Sequence, residues 1–191
     1  MKTGRLEAFS DGVLAIVITI MVLEMGAPEE TTLKGLISVV PVFVSYLLSF
    51  IYIGIYWNNH HHLFQVTQKI NGKILWANLH LLFWLSLIPF ATSWLGENHT
   101  EAIPVVVYGV VLLGSAIAFA LLELFIIKNH DEHFPLRQAT KNGLKEYVSI
   151  ALYVFAIPLA FINTWIAIGL FIIVAILWFI PNKKIEKSVL D

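Results

Sequence analysis

The feature that most restricts this chain is a series of long apolar runs, each close to what a helix needs to cross a membrane. About 20 apolar residues of helix span the hydrocarbon of a bilayer. Six runs approach that length, roughly 9–25, 33–57, 74–95, 103–127, 147–162 and 165–180. Composition agrees: residues of the hydrophobic class make up 58% of 191, charged residues 13%, and mean hydropathy is +0.79. A soluble domain would carry roughly a quarter charged residues. Only helices or closed barrels satisfy every backbone polar group in lipid, and barrel strands alternate apolar with polar residues. These runs do not alternate. The expected fold is all-α, a six-transmembrane-helix bundle forming a single domain over residues 1–191. The absence of cysteine excludes disulfides and thiolate metal sites. The net charge of −1 gives no reason to expect a nucleic-acid partner; the lipid bilayer is the expected surrounding.

Charge placement orients the bundle. The link between the first two spans holds Glu24, Glu29 and Glu30 with one basic residue, Lys34. The link between the third and fourth holds Glu97, His99 and Glu101 without Lys or Arg. Lys2, Arg5, Lys69, Lys73, Lys128, Arg137, Lys141, Lys145, Lys183, Lys184 and Lys187 all fall on the other side, eleven of twelve basic residues. Basic residues stay cytoplasmic, so both termini are expected in the cytoplasm and the protein is expected to be multi-pass in the cell (plasma) membrane. A missed or invented span would scramble this segregation. Lys2 and Arg5 ahead of an apolar run also suit a signal peptide. Glu7 and Asp11 interrupt that pattern and no small-residue cleavage site follows, so a retained first helix is expected.

Polar groups within spans are costly and face protein or water. Asp11 begins the first span beside Ser10; Trp57-Asn58-Asn59-His60-His61-His62 ends the second. The third holds Asn78 and His80 with Trp76 and Trp84, and Glu123 lies late in the fourth, suited to a paired or interfacial carboxylate. Asp11, Trp57, His60, His61, His62, Asn78 and His80 share a depth and are expected to form an inter-helix polar cluster. Such a cluster serves as structural glue between helices or as a proton relay or ion site. It does not make a metal centre, because adjacent helical residues point about 100 degrees apart and three consecutive histidines cannot converge on one ion.

On the first helix, at about 100 degrees per residue, Ile16, Ile20 and Leu23 fall within a stripe about 60 degrees wide with Thr19 at its margin. From periodicity alone such a stripe means helix packing or lipid contact. Asp11 projects about 140 degrees away from Ile16, as a helix pinned by polar contacts on its back would require.

Arg5-Leu6-Glu7-Ala8-Phe9-Ser10-Asp11 matches the Arg-x-x-x-Phe-Ser-Asp signature on the first helix of the transmembrane protein 175 family of potassium channels, which this chain resembles. The run from Trp57 to Phe64, and Asn78, Pro89, Phe90 and Ala91, are similar to that family's second and third helices. The resemblance implies the prokaryotic form, one six-helix unit assembling as a homotetramer, since only one Phe-Ser-Asp occurs here. It implies that the first helix lines a central pore, that Ile16, Ile20 and Leu23 form its aliphatic constriction, and that Thr19 sets a hydroxyl beside it. It further implies that Arg5, Ser10 and Asp11 are tied to His and Asn groups of neighbouring helices, with Phe9 part of the signature.

No Thr-Val-Gly-Tyr-Gly filter loop is present, and no helix carries the regular arginines of a voltage sensor. An aliphatic ring instead gates by dewetting, because a stripped ion faces a steep desolvation cost. The expected activity is a leak-like, weakly selective conductance for potassium, needing no cofactor. A proton-coupled secondary transporter using Asp11 and the histidines is the alternative, although inverted repeats and broken midplane helices are not evident. Catalysis is not expected, because no Gly-x-Ser-x-Gly, His-Glu-x-x-His or carboxylate-rich metal set occurs.

Overall fold

A computed structural model describes residues 3–131, 134, 136–137 and 144–179. Lys2, Lys141, Lys183, Lys184, Lys187 and the end of the sixth run at Ile180 lie outside the described residues. The described residues are all-helical, without strand. Helix α1 runs Gly4–Glu24, a short α2 Leu33–Ser38, and α3 Val40–Val66. They are followed by α4 Gly72–Ser86, α5 Ile88–Glu97, α6 Ala102–Lys128, α7 Leu144–Leu159 and α8 Thr164–Phe179.

Sequence sets the ends of these helices. Asn71 accepts from the Ile74 amide at 3.0 Å and caps α4; Asn163 accepts from the Trp165 amide at 2.9 Å and caps α8. Both satisfy orphan amides of a first turn. Gly26, at φ +64°, follows α1 in the left-handed conformation that ends helices. The third apolar run, expected as one helix, divides at Leu87. Proline has no amide and its ring clashes with the preceding turn, so Pro89 opens a new helix, α5, at its first turn. Together α4 and α5 still form one apolar stretch, Gly72–Glu97. The second run is also displaced: its first residues form α2, and α3 carries the helix through the histidines to Val66.

By length and apolarity α1, α3, α4–α5 and α6 can each cross a membrane, while α8 is a shorter apolar helix. Helix α1 packs on α3, α4 and α5; α4 packs on α6, and α7 and α8 pack against each other and on α6 and α3. Leu14, Val17 and Met21 bury one side of α1 against Ile53, Leu81, Leu85 and Ile88 of the common core. In lipid such packing draws on close contact rather than on water exclusion, and small residues permit it. Gly96 shows how close. A Cβ added there would lie 2.8 Å from the Val42 Cα of α3. Gly96→Ala is therefore expected to force α3 and α5 apart and cost roughly 1–3 kcal/mol. Gly169→Ala, whose added carbon meets nothing within 4 Å, is the control. Thermal unfolding of the detergent-purified proteins distinguishes the two.

Polar contacts gather the links into two ends. At one end the Asn71 amide donates to Asn129 at 2.7 Å, and the Asn129 amide donates to the Lys69 carbonyl at 3.1 Å. His130 accepts from the Gln68 amide at 3.2 Å there, so the α3–α4 link lies against the end of α6. At the other end His99, before α6, meets Trp165, at the start of α8, with ring centroids 5.4 Å apart.

Candidate pore edge and polar helix junction

Helix α1 has two unlike edges. Its buried edge carries Leu6, Ser10, Leu14, Val17 and Met21. The other edge is uncovered by this chain: Ile16 is 60% exposed, Ile20 40% and Leu23 74%. Thr19 lies on that edge too, its hydroxyl donating back to the Ala15 carbonyl at 2.9 Å, so it is satisfied without a partner from outside the helix. Arg5 and Phe9 of the signature segment are likewise exposed.

The polar residues grouped by the sequence separate into parts. A buried chain joins three helices. His60 of α3 donates from Nε2 to the Asn78 side-chain oxygen of α4 at 2.8 Å. Asn78 donates to Ser10 Oγ of α1 at 3.0 Å, and Ser10 donates on to the Leu6 carbonyl at 3.0 Å. All three side chains are at most 3% exposed. A pairing with the Asn78 oxygen fixes the His60 tautomer, since that oxygen only accepts. Helix-packed hydrogen bonds of this kind contribute about 0.6 kcal/mol each on average in membranes.

Beside this chain, Asp11 stands on an exposed part of α1 and accepts from the Trp57 indole at 3.1 Å. The carboxylate is therefore an edge group tied to α3. It does not reach the buried chain. His61 stacks on Trp57 with centroids 6.1 Å apart and bonds Gln65 of its own helix at 2.9 Å. His80 accepts from Trp84 of its own helix at 3.0 Å and is exposed. His62 keeps its Nδ1 buried without a hydrogen-bond partner. The three consecutive histidines thus face three surroundings, as their angular spacing requires. Among the described residues no three His, Asp or Glu side chains group to hold a metal ion.

A second polar network lies deeper in the bundle and was not read from the sequence. Ser49 bonds Thr92 at 2.7 Å and Tyr108 at 2.9 Å, joining α3, α5 and α6. Tyr153 of α7 donates to Tyr52 at 3.1 Å, and Tyr52 donates to the Phe171 carbonyl of α8. A signal existed: Ser45, Ser49, Tyr52 and Tyr56 recur at helical spacing in the mainly apolar part of α3 that precedes Trp57. This network binds α5 to α8 around α3 and leaves the exposed edge of α1 alone.

Similarity to known proteins follows the same boundaries. The family profile described as Endosomal/lysosomal potassium channel TMEM175 matches residues 5–89, from the signature arginine to the helix-breaking proline. A potassium channel of Chryseobacterium sp. (strain P1-3) is 56% identical over 188 residues, 98% of each chain. The Gallus gallus endosomal/lysosomal proton channel TMEM175 is 29% identical over 172 residues, covering 80% of this chain and 34% of that one. Among solved structures, the crystal structure of a lysosomal potassium-selective channel TMEM175 homolog from Chamaesiphon minutus superposes with a TM-score of 0.74. That match is 30% identical and covers 92% of this chain and 95% of the other. Near end-to-end similarity to one relative and a shared fold with another lead to one conclusion: this chain is a member of the TMEM175 family.

Proposed function

We propose that the protein is a potassium-permeable, leak-like and weakly selective cation channel, built as a homotetramer with α1 of each copy against a central pore. The observation that carries this reading is the asymmetry of α1. One edge is packed to nearly complete burial while Ile16, Ile20 and Leu23 are left uncovered by their own chain. Four such edges around an axis make an aliphatic constriction, with Thr19 supplying a hydroxyl beside it. Exposed rows on the helices that flank α1 support the assembly: Phe43, Leu47, Phe50 and Trp57 on α3, and Trp76, Leu79, Phe83 and Phe90 on α4 and α5. Unlike rows meeting between neighbouring copies give a head-to-tail contact, which closes into a ring when the rotation allows. The relatives named as potassium channels supply the ion.

A hydrophobic ring of this kind passes ions when wide enough to stay wet and stops them when it dries. It favours potassium over sodium modestly, because potassium gives up its water more cheaply. Glu24, at the far end of α1, and Glu29 and Glu30 just beyond it are exposed and raise the local cation concentration at the outer mouth. The grouping of the α3–α4 link with the end of α6, and of His99 with Trp165, supports six crossings in one domain. With the charge asymmetry it supports cytoplasmic termini in the cell membrane.

A second reading is proton movement, either as permeation or as coupled transport, favoured by the vertebrate relatives named as proton channels and by the His60–Asn78–Ser10 chain. Recording from the purified protein in planar bilayers with ion substitution separates the readings. Unitary potassium currents that reverse near, but short of, the potassium equilibrium potential against sodium are the expected result. Saturating flux without unitary currents supports a carrier, and currents that follow only the proton gradient support the second reading.

A further inference from the structure

The α3–α4 link is fastened to the end of α6 by two neighbouring side chains, and one of them fits in a single protonation state. His130 donates from Nδ1 to the Ile126 carbonyl, one turn back on α6, at 2.8 Å. A carbonyl only accepts, so Nδ1 carries the proton. The other ring nitrogen, Nε2, meets the backbone amides of Gln68 at 3.2 Å and Lys69 at 3.4 Å. Amides only donate, so Nε2 is bare. Phe134 stacks on the imidazole, with centroids 4.2 Å apart and planes at 17°, and fixes the tilt of the ring. Beside it, Asn129 donates to the Lys69 carbonyl at 3.1 Å and accepts from the Asn71 side chain at 2.7 Å. Asn71 in turn caps α4 through the Ile74 amide.

We propose that His130 is an acid-sensitive latch on the α3–α4 link, closed while Nε2 is bare and released when Nε2 takes up a proton. A proton there sets one N–H against two others, so both bonds to the link are lost together. The closed latch therefore holds one proton fewer than the open one, and by linkage acid favours the open form. The latch is complete at the alkaline end of the range in which histidine changes charge, about pH 5 to 8, and is lost as pH falls through it. Asn129 has no proton to exchange in that range, so its two bonds stay as a tether while the amides of Gln68 and Lys69 come free. Among the described residues, the charged groups around the ring are Lys69 on the link and Lys128 and Asp131 beside it in the chain. Arg137 joins them, its guanidinium donating to the Ile127 carbonyl at 3.1 Å and the His130 carbonyl at 3.4 Å. None of these is of a type that ordinarily titrates in the same range. The link joins α3 to α4, the two helices whose His60 and Asn78 hold α1 through Ser10, so the latch steadies the connection between them at one end.

Hydrogen exchange of the detergent-purified full chain, read by mass spectrometry at about pH 8 and about pH 5, tests this. Each rate is divided by the intrinsic rate at its own pH. Protection of the segment 67–71 is expected to fall about tenfold or more in acid, while that of α6 stays within about twofold. His130→Gln, whose side chain accepts without titrating, should hold the segment's protection within about twofold between the two conditions. His130→Leu, with no acceptor, should lack that protection in both. Equal protection of the unmodified segment at both pH values overturns the proposal. So does a fall in His130→Gln as large as in the unmodified protein, which would place the titrating group elsewhere. Full protection in His130→Leu overturns it too, and so does a fall shared by α6, which would mean general acid unfolding in place of a local release.

Discussion

Replacing Ile16 or Ile20 by asparagine is expected to raise unitary conductance severalfold and to bring the potassium-to-sodium permeability ratio toward one. Both side chains stand on the uncovered edge of α1, at 60% and 40% exposure. An amide there holds water where a branched alkyl group excludes it, so an ion no longer sheds its shell to pass. Lowering the barrier by only about 1.4 kcal/mol multiplies the passage rate about tenfold. Selectivity is expected to fall for the same reason, since in the proposed constriction it would derive from the unequal cost of removing water. Ile176→Asn on α8, also at 60% exposure, is the control: it should lower yield or stability and leave the currents as they were. Unchanged conductance and selectivity in both α1 variants, with normal assembly, would remove the constriction from this edge.

The second large effect is expected at Asn78. Leucine is nearly the same size but can neither accept from His60 nor donate to Ser10, and both partners are buried. Each unsatisfied buried group costs roughly 1–3 kcal/mol. In membranes, alternative partners in the unfolded reference state reduce such losses. Asn78→Leu is therefore expected to destabilise by roughly 2–4 kcal/mol. Denaturation of the purified protein measures this directly, and the currents of the surviving assemblies should keep their ion preference. Trp57→Phe removes one exposed bond to Asp11 and should cost less than about 1 kcal/mol. Intact stability in Asn78→Leu with altered proton flux would instead favour a relay through these residues.

Most of the fold was legible because the bilayer imposes its length on every run. The fourth run, expected over 103–127, is helix α6 at Ala102–Lys128, and the sixth, expected from 165, begins at Thr164. Boundaries failed where local chemistry competed with hydropathy. The polar run from Asn58 to His62 looked like an ending, yet its residues keep helical geometry and α3 continues to Val66, about one more turn. Pro89 was visible as a breaker but lay in too continuous an apolar stretch to mark a boundary. In the site, the stripe of Ile16, Ile20 and Leu23 was readable from spacing alone. Its pore role rested on resemblance, because spacing does not distinguish lipid from a neighbouring copy. Which histidine meets Asn78 depends on how α3 and α4 are rotated about their axes. That rotation is set by tertiary packing, and so His60 could not be chosen over His61, His62 or His80 beforehand.

The buried junction also limits how the proposed throat could widen. A swivel of α1 on its own axis would pull Ser10 from Asn78 and strand His60 behind it. A whole-subunit tilt, with α1, α3 and α4 moving as one body, would carry every one of those bonds along unbroken. In the proposed tetramer, opening and closing would therefore be a matter of leaning staves, like those of a cask, with the hinge between copies instead of inside any one of them.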